Sequence, residues 1–253
     1  MIKIVIIGSG NVAQHLVAAF ENNAAVEIIQ IYSRKENSKI AGIDTYRMVY
    51  DLAFLKEADL YIIAVSDDAI IDVAAQLQFI NRLVVHTSGT APLTAIDIKN
   101  RKGVFYPLQT FTKNKAVDFN TIPICLEAEN STDYRVLEAV AKSISNAVYP
   151  INSDQRKALH VAAVFVNNFT NHLYQIGEEV CREHQVSFEV LKPLINETVA
   201  KLNDLAPVDA QTGPAKRNDQ STIEAHLDYL TNNNQKNIYK ILTQSILDNG
   251  KKL

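Results

Sequence analysis

The chain has no tryptophan and only two cysteines, Cys125 and Cys181, in 253 residues. Both lie in apolar, amphipathic contexts and read as buried thiols, and nothing suggests a disulfide framework. No stretch has the length and uniform apolarity of a membrane span. The first apolar strand pattern begins at residue 2, which leaves no room for a signal peptide, and the cytoplasm is the expected location. An excess of charge of one sign is also missing. Lys and Arg number 25 against 28 Asp and Glu, for a net charge of −3 and a pI near 6.1. That balance gives no electrostatic case for nucleic acid or an anionic membrane. The six histidines show no ligand-like clustering with carboxylates, so no metal is expected. There is no nucleophile elbow, no Walker loop and no internal repeat. No disordered tail is expected beyond Lys251–Leu253. What remains is the composition of an ordinary globular protein, 47% hydrophobic and 21% charged, long enough for one large domain or two modest ones.

The most informative stretch is the first thirteen residues. Ile4 to Ile7 form an apolar, β-branched run, as in a strand buried on both faces. The run stops at Gly8-Ser9-Gly10-Asn11-Val12-Ala13 and passes into helical periodicity at Val12, Leu16, Val17 and Phe20. Strand, Gly-x-Gly-x-x-Ala turn and helix are the dinucleotide-binding fingerprint. Gly8 permits the tight turn. Gly10 lets the backbone approach a pyrophosphate, and the helix N-terminus offers free N–H groups and partial positive charge. Ser9, Asn11 and Val12 complete that candidate cradle.

Apolar runs continue to alternate with helical patterns up to about residue 150. Strands are expected at Ile2–Ile7, Val26–Tyr32, Leu60–Val65, Leu83–Thr87, Gly103–Phe105, Ile122–Leu126 and Ala147–Tyr149. Helices are expected at Val12–Glu21, Asp68–Leu77 and Thr132–Ser143. This is the pattern of a doubly wound, mostly parallel sheet. From Asn152 onward period 3.6 dominates. Asn152 or Ser153 caps a long helical stretch to about Glu183, and a second runs to Leu205. A polar loop covers Pro207 to Asp219, and two further helices are separated by a turn at Asn232–Asn234. The expected organisation is α/β: a Rossmann-type doubly wound domain over 1–150, then an all-α domain over 151–253.

The end of the second strand bears on the choice of dinucleotide. An NAD site usually has Asp or Glu there to bond the ribose 2′-hydroxyl. This chain has Ser33-Arg34-Lys35. A hydroxyl followed by two cations suits a 2′-phosphate, with Ser33 donating and Arg34 forming a bidentate pair or stacking on adenine. NADP is therefore the expected cofactor. Ligands of such sheets bind beyond the carboxyl ends of the strands. Ala64 and Val65 are small enough to let a ribose pass, and Ser66 can bond phosphate or ribose. Asp67 or Asp68 suits helix capping. Thr87 and Ser88 could contact the nicotinamide half, whereas His86 fits a structural role.

Several motifs occur in a telling order: Gly-Ser-Gly-Asn-Val-Ala (8–13), Ala-Val-Ser-Asp-Asp-Ala-Ile (64–70), His-Thr-Ser-Gly (86–89), Tyr-Pro-Leu-Gln-Thr-Phe (106–111), His160 with Asn-Asn-Phe (167–169), and Gln-Thr-Gly-Pro-Ala-Lys-Arg-Asn-Asp (211–219). Over essentially its whole length the chain resembles Rossmann-like proteins with a helical C-terminal domain of unknown function, provisionally labelled NADP oxidoreductases. These are similar to pyrroline-5-carboxylate reductase and more distantly to 6-phosphogluconate dehydrogenase-type enzymes. The chain departs from the pattern twice. Tyr106 stands where the family usually has His, and Asn218 where it usually has Gly. Asn tolerates left-handed backbone, so that turn can survive. Tyr106 would need a strongly lowered pKa to act as a base, though it can donate a hydrogen bond.

The resemblance implies that Pro107-Leu108-Gln109-Thr110 lies beside the nicotinamide. There Gln109 and Thr110 supply hydrogen bonds without titrating. It also implies that the Gln211 loop lies near an interdomain cleft and that the helical domain forms a homodimer. At 100° per residue, His160, Val164, Asn167, Asn171 and Tyr174 fall on one stripe of the long helix. Two readings of that stripe stay open. His160 is a general acid with Asn167 orienting substrate, or the stripe is a polar seam at a helix or subunit interface. Lys216 and Arg217 could bind an anionic substrate group or form a solvated face, and His226 fits packing or capping. The expected function is NADP(H)-dependent hydride transfer to or from a small C=O or C=N substrate. Tyr106, Gln109, His160, Asn167 and Gln211 are the candidate catalytic residues. The alternatives are an NADP-binding sensor without turnover and a lyase using the same fold.

Overall fold

The computed structural model describes residues 1–250 except 22, 37, 39, 41–43 and 114. The expected tail at Lys251–Leu253 lies outside the described residues. Contacts group the chain into two compact units, Met1–Phe165 and Val166–Leu253.

The first unit is built on an eight-stranded sheet of order β3-β2-β1-β4-β5-β6-β7-β8. The strands are β1 (Ile2–Ile7), β2 (Val26–Tyr32), β3 (Met48–Val49), β4 (Leu60–Ile63), β5 (Leu83–His86), β6 (Arg101–Pro107), β7 (Ile124–Ala128) and β8 (Val148–Pro150). The first six are parallel and give the 3-2-1-4-5-6 order of dinucleotide-binding sheets. β7 runs antiparallel to β6. A parallel return would need a crossover, usually a helix, and the described residues of 108–123 hold only the 3₁₀ turn Phe119–Thr121. The run Ile4–Ile7 is buried on alternate faces. Ile4 and Ile6 join Leu16, Phe20 and Leu137, from α1 (Asn11–Phe20) and a later helix, while Val5 and Ile7 join Ile70 and Ala74 of α2 (Ile70–Gln76). Helices thus cover both faces, as the continuous apolar strand required.

The later helix on the first face is α3 (Ser131–Lys142). Asn130 caps it, accepting from the Asp133 amide at 2.9 Å. The next helix, α4 (Ser153–Ala163), opens with a capping box in which Asn152 and Gln155 each accept from the other's backbone amide; a cap of this kind contributes about 1 kcal/mol.

The single long helix expected from Asn152 to about Glu183 is interrupted. A π-helical segment, Val164–Phe169, separates α4 from α5 (Thr170–Glu183). Its i→i+5 bonds widen the turn by a residue, so the constant 3.6 period assumed for the stripe through His160 and Asn167 fails there. The two compact units divide within this segment, and the change of texture near Pro150 coincides with the end of β8. Beyond it lie α6 (Lys192–Ala200), α7 (Pro207–Ala210), α8 (Pro214–Arg217), α9 (Gln220–Tyr229) and α10 (Asn233–Gly250). The span Pro207–Asp219, expected as a polar loop, therefore holds two single-turn helices, each begun by a proline at its first position. Asn218 adopts left-handed backbone at φ 54° and ends α8, as its residue type allowed. Asp219 then caps α9 through the Thr222 amide and hydroxyl, and these bonds hold its carboxyl below the usual range.

Candidate active site

At the carboxyl ends of β1, β2 and β4 lies a cavity of about 640 Å³. Every residue expected to hold the dinucleotide lines it except Thr87 and Ser88: Gly8, Ser9, Gly10, Asn11, Val12, Ser33, Arg34, Lys35, Ala64, Val65 and Ser66. The two glycines work differently. Gly8 has φ +136°, and a Cβ there would fall 2.2 Å from the Ala64 carbonyl oxygen. It is demanded by the close approach of β1 to β4. A Cβ on Gly10 would meet no protein atom within 4 Å, so nothing in the chain itself excludes a side chain there. What a side chain would block is a ligand's approach to the first turn of α1, which has no capping side chain and no acidic residue. An uncapped helix start beside an open cradle fits a pyrophosphate. Ala13 is fully buried and seats α1 on the sheet.

The ribose end departs in detail from the expectation. Ser33 is 1% exposed, and its hydroxyl is engaged with Ser9 Oγ at 3.0 Å and Ser38 Oγ at 2.8 Å. It also accepts from the Lys35 amide. Ser33 therefore braces the turn in this structure, and Arg34 and Lys35 stand exposed on the cavity rim. Ser38 and Gln14 line the same cavity and were missed. Gln14 fastens the glycine turn by donating to the Ser9 carbonyl at 2.9 Å. Its place one helical turn after Gly10 was the available signal.

Thr87 and Ser88 are buried. Ser88 Oγ accepts from the Thr90 and Ala91 amides, a local turn. His86 is fully buried at the end of β5 and held at both ring nitrogens. Nδ1 accepts from the Ser88 amide at 3.2 Å, and Nε2 donates to the Pro92 carbonyl at 3.2 Å. Burial, helped by the positive charge of Arg156, pulls its pKa down to about 4. His86 is a neutral structural residue.

Among the candidate catalytic residues, Tyr106 and His160 come together. Tyr106 on β6 and His160 on α4 meet with the hydroxyl 3.1 Å from Nδ1. Burial above all, with Cys125 and Asp67 adding, pushes the Tyr106 pKa up to about 12. Tyr106 is a neutral donor and no base. Gly89 sits against both rings: a Cβ there would lie 2.4 Å from His160 Nδ1 and 2.9 Å from Tyr106 Cζ. Gln109 is exposed, and its Oε1 accepts from the Thr110 amide. Its loop is tied to α1, because Asn11 Nδ2 donates to the Phe111 carbonyl, His15 Nε2 donates to that of Thr112, and His15 packs on Phe111 at 4.8 Å. Asn167 lies exposed in the π segment of the second unit. Gln211, also there, is exposed and bonds the Thr212 carbonyl before Gly213 at φ +100°.

Two family models cover most of the chain. Residues 3–89 match the family described as NADP oxidoreductase, coenzyme F420-dependent, and residues 122–246 match a domain of unknown function (DUF2520). A Bacteroides fragilis protein provisionally described as an NADP oxidoreductase is 38% identical, with 98% of each chain covered and a TM-score of 0.88. The chain belongs to this family of Rossmann-type NADP oxidoreductases with a helical C-terminal domain. More distant relatives share the fold. A reductive aminase from Aspergillus terreus, solved with NADPH, is 13% identical over 100% of this chain and 94% of its own, at a TM-score of 0.70. A pyrroline-5-carboxylate reductase from Coxiella burnetii is also 13% identical, over 99% and 98%, at 0.55. No curated protein matches the chain. NADP is the family's dinucleotide, and the residues of the cavity fit it: an uncapped helix start for the pyrophosphate, and exposed Arg34 and Lys35 at the ribose end.

Proposed function

We propose that this oxidoreductase reduces a small C=O or C=N substrate beside the Tyr106–His160 pair. The observation that carries the reading is that pair, a buried phenol bonded to an imidazole, in the same unit as a dinucleotide cradle. Bound NADPH supplies the hydride. The chain's own residues do the rest. Asn11, Val12 and the glycine turn hold the pyrophosphate, and Arg34 and Lys35 hold the 2′-phosphate. As hydride arrives, His160 gives its Nε2 proton to the substrate oxygen or nitrogen while Nδ1 takes the proton of the Tyr106 hydroxyl, and water returns a proton to the phenolate. Gln109 orients the substrate. The His-to-Tyr departure from the family pattern favoured a sensor without turnover. The bond from Tyr106 to His160 favours an enzyme, because α4 supplies the imidazole that position 106 lacks.

The test begins with titration of NADPH and NADH by fluorescence, followed by a panel of keto acids and cyclic imines. Turnover that falls by about 10²-fold or more in His160→Ala supports the reading. Turnover unchanged in that variant, or NADPH binding weaker than millimolar, overturns it.

We also propose a homodimer formed through the second unit. The support is that Val190, Leu194, Val199, Leu202 and Ile241 of that unit are all exposed, and large apolar side chains in the open mark association sites where they adjoin. Light scattering at micromolar concentration checks this, and a monomer refutes it. A cytoplasmic setting belongs to the same proposal. It is supported by two unbridged cysteines and by the lack, among the described residues, of any helix long and apolar enough to cross a membrane.

A further inference from the structure

Arg156 is 0% exposed and has no part in the reading above. Its Nη1 donates to Glu127 Oε2 at 2.5 Å, and its Nη2 donates to the Ala91 carbonyl at 2.5 Å and to Ser153 Oγ at 3.2 Å. Glu127 is occupied in turn by the Ser153 amide at 3.0 Å and hydroxyl at 2.8 Å. One guanidinium therefore ties together α4, strand β7 and the loop that follows β5. A buried ion pair is a poor source of net stability, because desolvation of both charges offsets their attraction. This one also leaves Arg156 Nε buried without a partner. Such an arrangement calls for a reason other than stability.

Its neighbours supply one. His160 lies one helical turn beyond Arg156, at i+4 and hence on the same face of α4. The loop whose Ala91 carbonyl Arg156 grips begins at Gly89, the residue packed so closely on His160 and Tyr106 that it has no room for a Cβ. Arg156 thus fixes both walls of the slot in which the imidazole stands. Within that slot Tyr106 is a neutral hydroxyl at 3.1 Å from Nδ1. When the phenol donates to Nδ1, the ring proton of neutral imidazole must sit on Nε2.

We propose that Arg156, held by Glu127, is a positioning residue that presets His160 as an Nε2–H donor by fixing α4 and the Gly89–Ala91 loop at the spacing that lets Tyr106 donate to Nδ1. The proposal rests on the reading of His160 as proton donor but is tested without substrate. The full chain, labelled with ¹⁵N-histidine, is recorded with and without NADPH at about pH 8, and His160→Asn assigns the signal. The wild type is expected to show a protonated Nε2 and an unprotonated Nδ1. Glu127→Gln, Arg156→Lys and Tyr106→Phe are expected to collapse that asymmetry towards a mixture of tautomers. NADPH affinity in Glu127→Gln should stay within about threefold, because the cradle is built from other residues. Arg156→Lys keeps the charge but loses the fork, so it carries the test if Glu127→Gln does not fold. A role confined to stability would shift the melting temperature and leave the tautomer alone. The proposal is overturned by an Nδ1–H or evenly mixed tautomer in the wild type. It is equally overturned by a wild-type pattern in whichever of the two clamp variants folds. A protein with this pattern but no turnover would keep the clamp and lose the reductase reading.

Discussion

Replacing each glycine of the N-terminal turn by alanine should separate fold from binding. At Gly8 the new Cβ would lie 2.2 Å from the Ala64 carbonyl oxygen and 2.8 Å from its carbonyl carbon, both backbone atoms, at φ +136°. The contact cannot be relieved by a rotamer change, because the backbones would have to part just beyond the last β1–β4 pair, Ile7 and Ile63. Overpacking of this kind costs about 1–3 kcal/mol, and a side chain held in glycine-only backbone about another 1–3. For a protein of this size those sums correspond to a fall in melting temperature on the order of 5–20 °C. At Gly10 the same substitution meets nothing within 4 Å, so the melting temperature should move by no more than about 2 °C, as for substitutions free of packing or strain. NADPH affinity should nonetheless fall by about tenfold or more, since a methyl group on the cradle displaces a pyrophosphate bonded to the helix start. Scanning fluorimetry and a nucleotide titration on the two variants suffice. A Gly8→Ala protein with wild-type stability, or a Gly10→Ala protein with wild-type NADPH affinity, would refute the division of labour.

Three other outcomes follow from the same geometry. Arg34→Ala should weaken NADPH by roughly 10- to 100-fold, the loss of a charge-assisted contact, and leave NADH nearly unchanged; equal losses would contradict the 2′-phosphate assignment. His86 has a folded pKa near 4 against about 6.5 when unfolded. Its contribution of about 3 kcal/mol is therefore fully present above pH 6.5 and is lost as pH falls towards 4. The melting temperature of His86→Asn should depend less steeply on pH over that window than that of the wild type, and an identical slope would sink the assignment. Burial pushes the Cys125 thiol up to about 11, so native protein at about pH 8 should expose at most the part-exposed Cys181 to a thiol reagent. Rapid labelling of two thiols would show that β7 opens.

How far the sequence could be read depended on whether a residue's role was local. The turn after β1 is local: apolar run, two glycines and amphipathic helix are contiguous, and they located both the sheet and its ligand cavity. Strand β3 is two residues long, too short to form a pattern, and went unread. The π segment was equally invisible, because Val164–Phe169 has nothing in its composition to distinguish it from α-helix. Arg156 was the costliest omission. It stands in a polar-looking first helical turn, and its burial is decided by Glu127 and Ala91, 29 and 65 positions away. The Tyr106–His160 contact spans 54 positions in the same way. Each member could be nominated alone, but only the sheet order brings them within bonding distance. Ser33 was nominated as a ligand contact, yet the hydroxyls of Ser9 and Ser38 engage it.

The interruption at Val164–Phe169 bears on how the protein can be taken apart or recombined. A cut at Pro150, where the strands end, would separate Glu127, Ala91 and Tyr106 from their partners on α4 and leave the Glu127 carboxylate on β7 without its guanidinium. A chimera that grafts a foreign helical region onto this sheet must therefore bring residues 151–165 along with the sheet. The side-chain bonds of the sheet extend one helix past the point where the amino-acid pattern changes.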